Sequence, residues 1–149
     1  MSSDRRLETM DVDDCLALLS EHRIGRLAFA DGDELVILPV NYLFDRGAVL
    51  IRTAEGSKLE AAVRGARVAF EIDGFDQDER SGWSVLVKGR AAEVWEHKEL
   101  DIVRDLPVQP WAPGEKAHFL VVMSSSISGR RIVSGEGPNA LPQVDLWLG

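Results

Sequence analysis

Residues 51–60, with the sequence IRTAEGSKLE, contain the groups in this chain that are best suited to bind an anion. A predicted strand ends at Arg52 and Thr53, and a glycine-containing turn leads to a helix that begins at Ser57. The first turn of a helix offers unsatisfied backbone amides and the positive end of the helix dipole. Lys58 adds a cation there, and Arg52 adds a guanidinium whose planar geometry matches phosphate oxygens. The segment therefore indicates a phosphate site.

The same segment also has a purely structural interpretation. Residues 57–60, SKLE, form a capping box, in which Ser57 and Glu60 satisfy the backbone amides of the first helical turn without any ligand. That box does not explain Arg52 or Lys58, since a cation in the first turn of a helix opposes the dipole. The residues alone leave both interpretations open.

Composition restricts the class of partner. The 149 residues carry 25 acidic and 17 basic side chains, a net charge of −8, which disfavours general binding to nucleic acid. No apolar run is long enough to cross a membrane, and the polar start does not resemble a signal peptide. The single cysteine, Cys15, cannot form an internal disulfide and lies at an apolar position of a helical pattern. We therefore expect a buried thiol and a cytoplasmic protein.

Other common catalytic and metal sites are not indicated. His22, His97 and His118 are far apart in the sequence and have no cysteine cluster near them, so no transition-metal site is expected. The chain has no Gly-x-Ser-x-Gly motif, and its acidic pairs at 13–14 and 78–79 are typical of solvated surfaces. The glycine-containing residues 135–140 open no βαβ unit, so they do not predict a dinucleotide-binding loop.

The predicted elements are mostly strands connected as hairpins. Asp11 can cap a short helix whose apolar positions run from Val12 to Leu19. Helices are also expected at 57–64 and 96–106, a polar loop at 74–81, and a bulge at Gly89. The predicted strands are 24–30, 35–44, 48–53, 67–73, 82–94 and 118–123. This pattern predicts a mainly β fold with peripheral helices, an antiparallel barrel, in a single domain over 1–149 with irregular ends at 1–10 and 135–149.

Five motifs, taken in order, resemble the pyridoxamine 5′-phosphate oxidase-like proteins, which are flavin-binding split barrels. The motifs are GRLAF at 25–29, PVNY at 39–42, IRT at 51–53 with GSKL at 56–59, VAFEID at 68–73 and GWSVLVKG at 82–89. The match covers about 16–89 and extends, with weaker agreement, to 132. The resemblance implies an antiparallel split β-barrel and a homodimer with two equivalent FMN sites at the subunit interface.

The resemblance also implies which residues contact FMN. The isoalloxazine ring would lie beside the strand formed by Pro39, Val40, Asn41 and Tyr42. The ribityl phosphate would be held by Arg52, Thr53, Ser57 and Lys58, and Leu59 follows these in the same motif. Ser84, next to Trp83, would approach the ring from the other subunit, and Trp111 is expected to do the same.

The implied function is an FMN-dependent oxidoreductase that acts on a small-molecule substrate, with NAD(P)H as a candidate electron donor. The tail at 135–149 does not match the region that contacts substrate in the vitamin-B6 oxidase itself, so oxidation of pyridoxamine phosphate is not expected. Arg130 and Arg131 could replace those contacts or could be surface charges. Two alternatives remain: a split barrel that binds the deazaflavin F420 or haem, and a non-catalytic dimer that stores or senses flavin.

Overall fold

The computed structural model of the chain describes residues 5–52, 59, 63–94 and 119–134. In these ranges no helix is both long and apolar enough to span a membrane. The elements, in chain order, are β1 (Arg5–Met10), α1 (Val12–Glu21), β2 (Ile24–Asp31), β3 (Glu34–Asp45), β4 (Ala48–Arg52), β5 (Arg67–Asp76), β6 (Ser81–Val94) and β7 (Phe119–Ser134).

The strands form an antiparallel sheet that closes on itself. Its order is β1-β7-β4-β3-β2-β5-β6, and β6 also pairs with β7, which completes a ring. One edge of β7 pairs with β6 along most of its length. The other edge pairs with β4 over 119–123 and with β1 over 129–134. Closure leaves few unpaired strand edges and confirms the predicted antiparallel barrel with a split geometry.

The barrel interior is filled by alternate residues of each strand, as a period of two requires. Leu27, Phe70 and Val85 are among its fully buried side chains. Helix α1 packs on the barrel through Cys15 and Leu19, which are also fully buried. Burial raises the pKa of the Cys15 thiol, and the prediction that this cysteine is buried is confirmed.

The local predictions from turn and helix patterns are confirmed over most of the barrel. Gly32 adopts φ 61° in the turn between β2 and β3, a conformation that favours glycine. The register of β6 against β7 shifts between Lys88 and Gly89, which is the predicted bulge. Asp11 precedes α1 as predicted, but its side chain makes no capping hydrogen bond. In the predicted helix at 57–64, the described residues Leu59 and Val63 are helical.

Two predictions of irregular structure are wrong, and the strand predicted at 118–123 is too short. Residues 5–10 are not irregular, because β1 pairs along its whole length with β7. The predicted loop at 74–81 is shorter, since β5 extends to Asp76 and β6 begins at Ser81. The Ser/Gly-rich stretch after Met123 continues β7 to Ser134, because backbone pairing with β6 and β1 outweighs the weak β propensity of its side chains. The predicted helix at 96–106 and the tail at 135–149 lie outside the described residues.

Candidate functional site

The side of the sheet that points away from the barrel core carries four of the eight predicted site residues that the structure describes. Residues opposite one another in β3, β2, β5 and β6 place their side chains on this side, which we call the outer face. The outer face consists of Leu35, Ile37, Pro39 and Asn41 of β3, Arg26 and Ala28 of β2, Ala69, Glu71 and Asp73 of β5, and Ser84, Leu86 and Lys88 of β6.

The strand predicted to run beside a flavin ring alternates between the two sides of the sheet. Val40 and Tyr42 pack in the core, whereas Pro39 is exposed and Asn41 is half-buried on the outer face. A ligand lying along the outer face of β3 would therefore meet the side chains of Pro39 and Asn41. It would meet Val40 and Tyr42 only through their backbone atoms.

Tyr42 is a core residue in this structure. Its hydroxyl donates a 2.7 Å hydrogen bond to the backbone carbonyl of Leu19 in α1, and its ring makes an edge contact with Phe70 at 4.7 Å between centroids. Burial raises the pKa of Tyr42 to about 12, so the hydroxyl keeps its proton. Tyr42 thus fixes α1 on the barrel, a role that the sequence did not predict.

Arg52 lies on the same side of the sheet as Asn41. Tyr42 is opposite Ile51 in the β3–β4 register. The next position of this antiparallel pair therefore places Asn41 opposite Arg52. Ile51 packs in the core, and the alternation of side chains therefore turns Arg52 outward. The guanidinium carbon of Arg52 lies 5.8 Å from the ring centroid of Phe119. The structure brings together a half-buried cation and the Pro39–Asn41 strand, as the phosphate and ring assignments require.

Leu59 and four further predicted site residues do not add to this group. Leu59 is half-buried against the core cluster, so its side chain contributes to packing. Thr53, Ser57, Lys58 and Trp111 lie outside the described residues.

Trp83 and Ser84 lie on opposite sides of β6, as neighbouring strand residues must. Trp83 packs against the core cluster, and its ring is 4.9 Å from that of His22. Its indole is so close to Gly74 that a Cβ there would lie 2.8 Å from Nε1. Ser84 instead lies opposite Asp73 and Arg130 on the outer face. A ligand on the outer face can therefore contact Ser84 but is separated from Trp83 by the strand itself.

A charged cluster next to Pro39 was not predicted from the sequence. Arg26 of β2 donates hydrogen bonds to Asp73 at 2.9 Å and to Glu71 at 3.2 Å. Arg26 is also opposite Pro39 in the β2–β3 register, so the cluster adjoins the predicted ring strand. Burial, together with the hydrogen bond and the charge of Asp73, raises the pKa of Glu71 to about 7 and outweighs the opposite effect of Arg26. Glu71 and Asp73 are 45 and 47 positions from Arg26 in the sequence, and only the strand register brings them together.

Comparison with known proteins identifies the family. The sequence model described as pyridoxamine 5′-phosphate oxidase matches residues 11–131. The chain belongs to the pyridoxamine 5′-phosphate oxidase family. The chain is also 33% identical over 137 residues to the uncharacterized Mycobacterium tuberculosis protein Rv0080, a match that covers 89% of this chain and 90% of the relative.

Solved structures confirm the split-barrel fold that the family resemblance implied. An FAD-binding protein from Mycobacterium smegmatis superposes with a TM-score of 0.77 at 34% identity, covering 86% of this chain and 100% of that protein. An FAD-binding protein from Mesorhizobium loti gives a TM-score of 0.67 at 25% identity, covering 84% of this chain and 97% of that protein. Proteins that share this fold and are 25–34% identical to this chain thus include FAD-binding proteins.

Proposed function

We propose that this protein binds a flavin nucleotide on the outer face, with its ring along Pro39 and Asn41 and its phosphate near Arg52. The observation that supports the proposal most strongly is the placement of Asn41 and Arg52, one register step beyond the Tyr42–Ile51 pair and on the same side of the sheet. The flavin of the 34% identical Mycobacterium smegmatis protein supports it independently. Thr53, Ser57 and Lys58 complete the phosphate site in this proposal.

The chemistry that we propose is that of a flavin-dependent oxidoreductase. A bound flavin supplies hydride and electron transfer, and the protein supplies binding, orientation and electrostatics. Arg52 offers a planar guanidinium for phosphate oxygens, and Pro39 presents a strand position that lacks a backbone N–H. Oxidation of NAD(P)H or reduction of nitro compounds by the flavin-loaded protein would support an enzyme. Tight flavin binding with no turnover of either would support a storage or sensing role.

FMN and FAD are the two candidate flavins. The predicted set of Arg52, Thr53, Ser57 and Lys58 is suited to a single terminal phosphate, which favours FMN. The Mycobacterium smegmatis neighbour binds FAD, which favours the larger nucleotide. Either flavin would use the same ring strand, so the function that we propose is common to both.

We also propose that two copies of the chain form a homodimer through their outer faces. Leu35 and Ile37 are 89% and 67% exposed there, and Ala28 and Ala69 continue the apolar surface across β2 and β5. Adjacent apolar side chains of this kind are typical of an interaction surface. Ser84 belongs to the same face, so a second copy could carry Ser84 of the partner subunit to the flavin ring.

The phosphate assignment is tested by the double variant Arg52→Ala/Lys58→Ala. Each lost cation removes a charge-assisted hydrogen bond, and we expect the Kd for FMN to rise about 100-fold in fluorescence titrations. The control is Arg6→Ala, which removes one positive charge from β1, outside the proposed phosphate site. A double variant that binds FMN as tightly as wild type would overturn the phosphate assignment.

A further inference from the structure

A groove of about 770 Å³ lies on the outer side of β5, β6, β7 and β1, and its lining includes Glu71 and Asp73 of the charged cluster described above. Its lining also includes Ser84 and Leu86 of β6, Ile132 of β7, and Phe75 near the β5–β6 turn. The groove is large enough for a small organic molecule. It contains both apolar surface and side chains of either charge.

The carboxylates that line the groove already have partners within the fold. Glu71 and Asp73 accept hydrogen bonds from Arg26. Asp76 accepts hydrogen bonds from the backbone amides of Asp78 and Glu79, at 2.9 and 3.1 Å, within its own turn. Two of these acids share the charge of one arginine and the third is bonded to neutral amides, so part of their negative charge remains beside the arginines of the groove.

Three arginines, Arg5, Arg80 and Arg130, line the same groove. Arg5 is opposite Ser134 in the β1–β7 register, so Arg5 and Arg130 lie on the same side of the sheet, with Ile132 between them along β7. The Nε of Arg5 is buried and has no hydrogen-bond partner among the residues that the structure describes. A buried guanidinium N–H without an acceptor costs free energy, because it has lost its hydrogen bond to water and has not formed another.

We infer that this groove binds an oxyanion, a carboxylate or phosphate group, between Arg5 and Arg130. Two forked guanidiniums suit such a group, and the buried Nε of Arg5 would gain its acceptor. Leu86, Ile132 and Phe75 would contact an apolar body attached to the anion. The site goes beyond the proposed flavin ring and phosphate contacts, since it uses none of the residues assigned to them except the neighbouring Ser84.

Inorganic phosphate is the first probe, with binding followed by NMR chemical shifts of the purified wild-type protein. We expect saturable shifts of the Ser84 and Arg130 amides with a Kd in the millimolar range. Arg5→Ala and Arg130→Ala should each weaken binding about tenfold, since each removes a charge-assisted pair. Arg5→Lys should weaken it less, because the charge remains although the fork is lost.

Arg6→Ala is the matched control, since Arg6 lies on the same strand but on the opposite side of the sheet. It should leave the Kd for phosphate within about twofold of wild type. Circular dichroism would establish that each variant is folded. The proposal is overturned if wild type does not bind phosphate, or if the folded Arg5 and Arg130 variants bind it as tightly as Arg6→Ala does.

Titrations of Arg5→Ala with FAD, FMN and phosphate distinguish two sources of the oxyanion. If the groove takes the additional phosphate of FAD, Arg5→Ala will weaken FAD binding about tenfold and leave FMN binding unchanged. If it takes a separate molecule, phosphate will bind equally well to the flavin-loaded protein, and Arg5→Ala will affect neither flavin. The phosphate titration needs no flavin, so a protein that binds phosphate at Arg5 but binds no flavin would contradict the proposed function alone.

Discussion

Glu71 has the most unusual ionisation that the outer face shows. Its side chain is 33% exposed, yet burial and the adjoining Asp73 raise its pKa from 4.5 to about 7. A carboxyl whose pKa is raised by folding holds its proton in the folded state at pH values where the unfolded chain has released it. Its contribution to stability is therefore complete below pH 4.5 and is lost as the pH rises to 7.

We expect the Glu71 carboxyl to titrate near pH 7 in carbon-detected NMR. Asp73→Asn should lower the pKa of Glu71, because it removes the raising charge, and Arg26→Ala should raise it further. Between pH 4.5 and 7.5, wild type should lose about 1 kcal/mol more stability than Glu71→Gln, a figure reduced for solvent screening. An ordinary Glu71 pKa near 4.5 would contradict this account of the cluster.

The pair of Trp83 and Ser84 shows what the sequence could and could not predict at the residue scale. Their placement on opposite sides of β6 follows from the period of a strand, so it was predictable once 82–94 was assigned as a strand. The cluster of Arg26, Glu71 and Asp73 was not, because it depends on how β2 and β5, which are far apart in the sequence, align with each other. The hydrogen bond from Tyr42 to Leu19 likewise depends on where α1 packs.

At the scale of elements, local patterns predicted the strands that are connected by short turns. The β2–β3–β4 meander carries its turn residues and alternation in adjacent sequence, and its predicted bounds are close to the observed ones. β1 and the second half of β7 carry many polar side chains. The two strands pair although more than 100 residues separate them in the sequence. No local pattern could have predicted that pairing.

The bulge in β6 gives a prediction at this scale. A Cβ at Gly89 would lie 2.1 Å from the backbone carbonyl oxygen of Met123, which cannot move without breaking the β6–β7 pairing. We expect Gly89→Ala to destabilise the protein by about 3 kcal/mol in urea unfolding. Lys88→Ala, at the exposed neighbouring position, should change stability by less than about 0.5 kcal/mol. Equal effects of the two substitutions would show that the backbone at Gly89 does not lie in close contact with the carbonyl of Met123.

At the scale of the whole molecule, the proposed homodimer depends on the apolar part of the outer face. We expect sedimentation velocity to show a dimer for wild type and a monomer for Ile37→Asp, because burying a carboxylate without a partner is costly. Val12→Asp is the control, since Val12 is 56% exposed on α1, away from that face. A monomeric wild type, or an Ile37→Asp protein that remains dimeric, would be inconsistent with this interface.

The central claim is that the barrel binds a flavin, and a direct titration tests it. Purified protein would be titrated with FMN and FAD by flavin fluorescence, with F420 and haemin as parallel ligands. We expect saturable binding of at least one flavin with a Kd of about 1 µM or tighter, and weaker binding of F420 and haemin. Binding of F420 or haemin with no response to FMN or FAD would contradict the proposed function, although it would be consistent with the split-barrel fold.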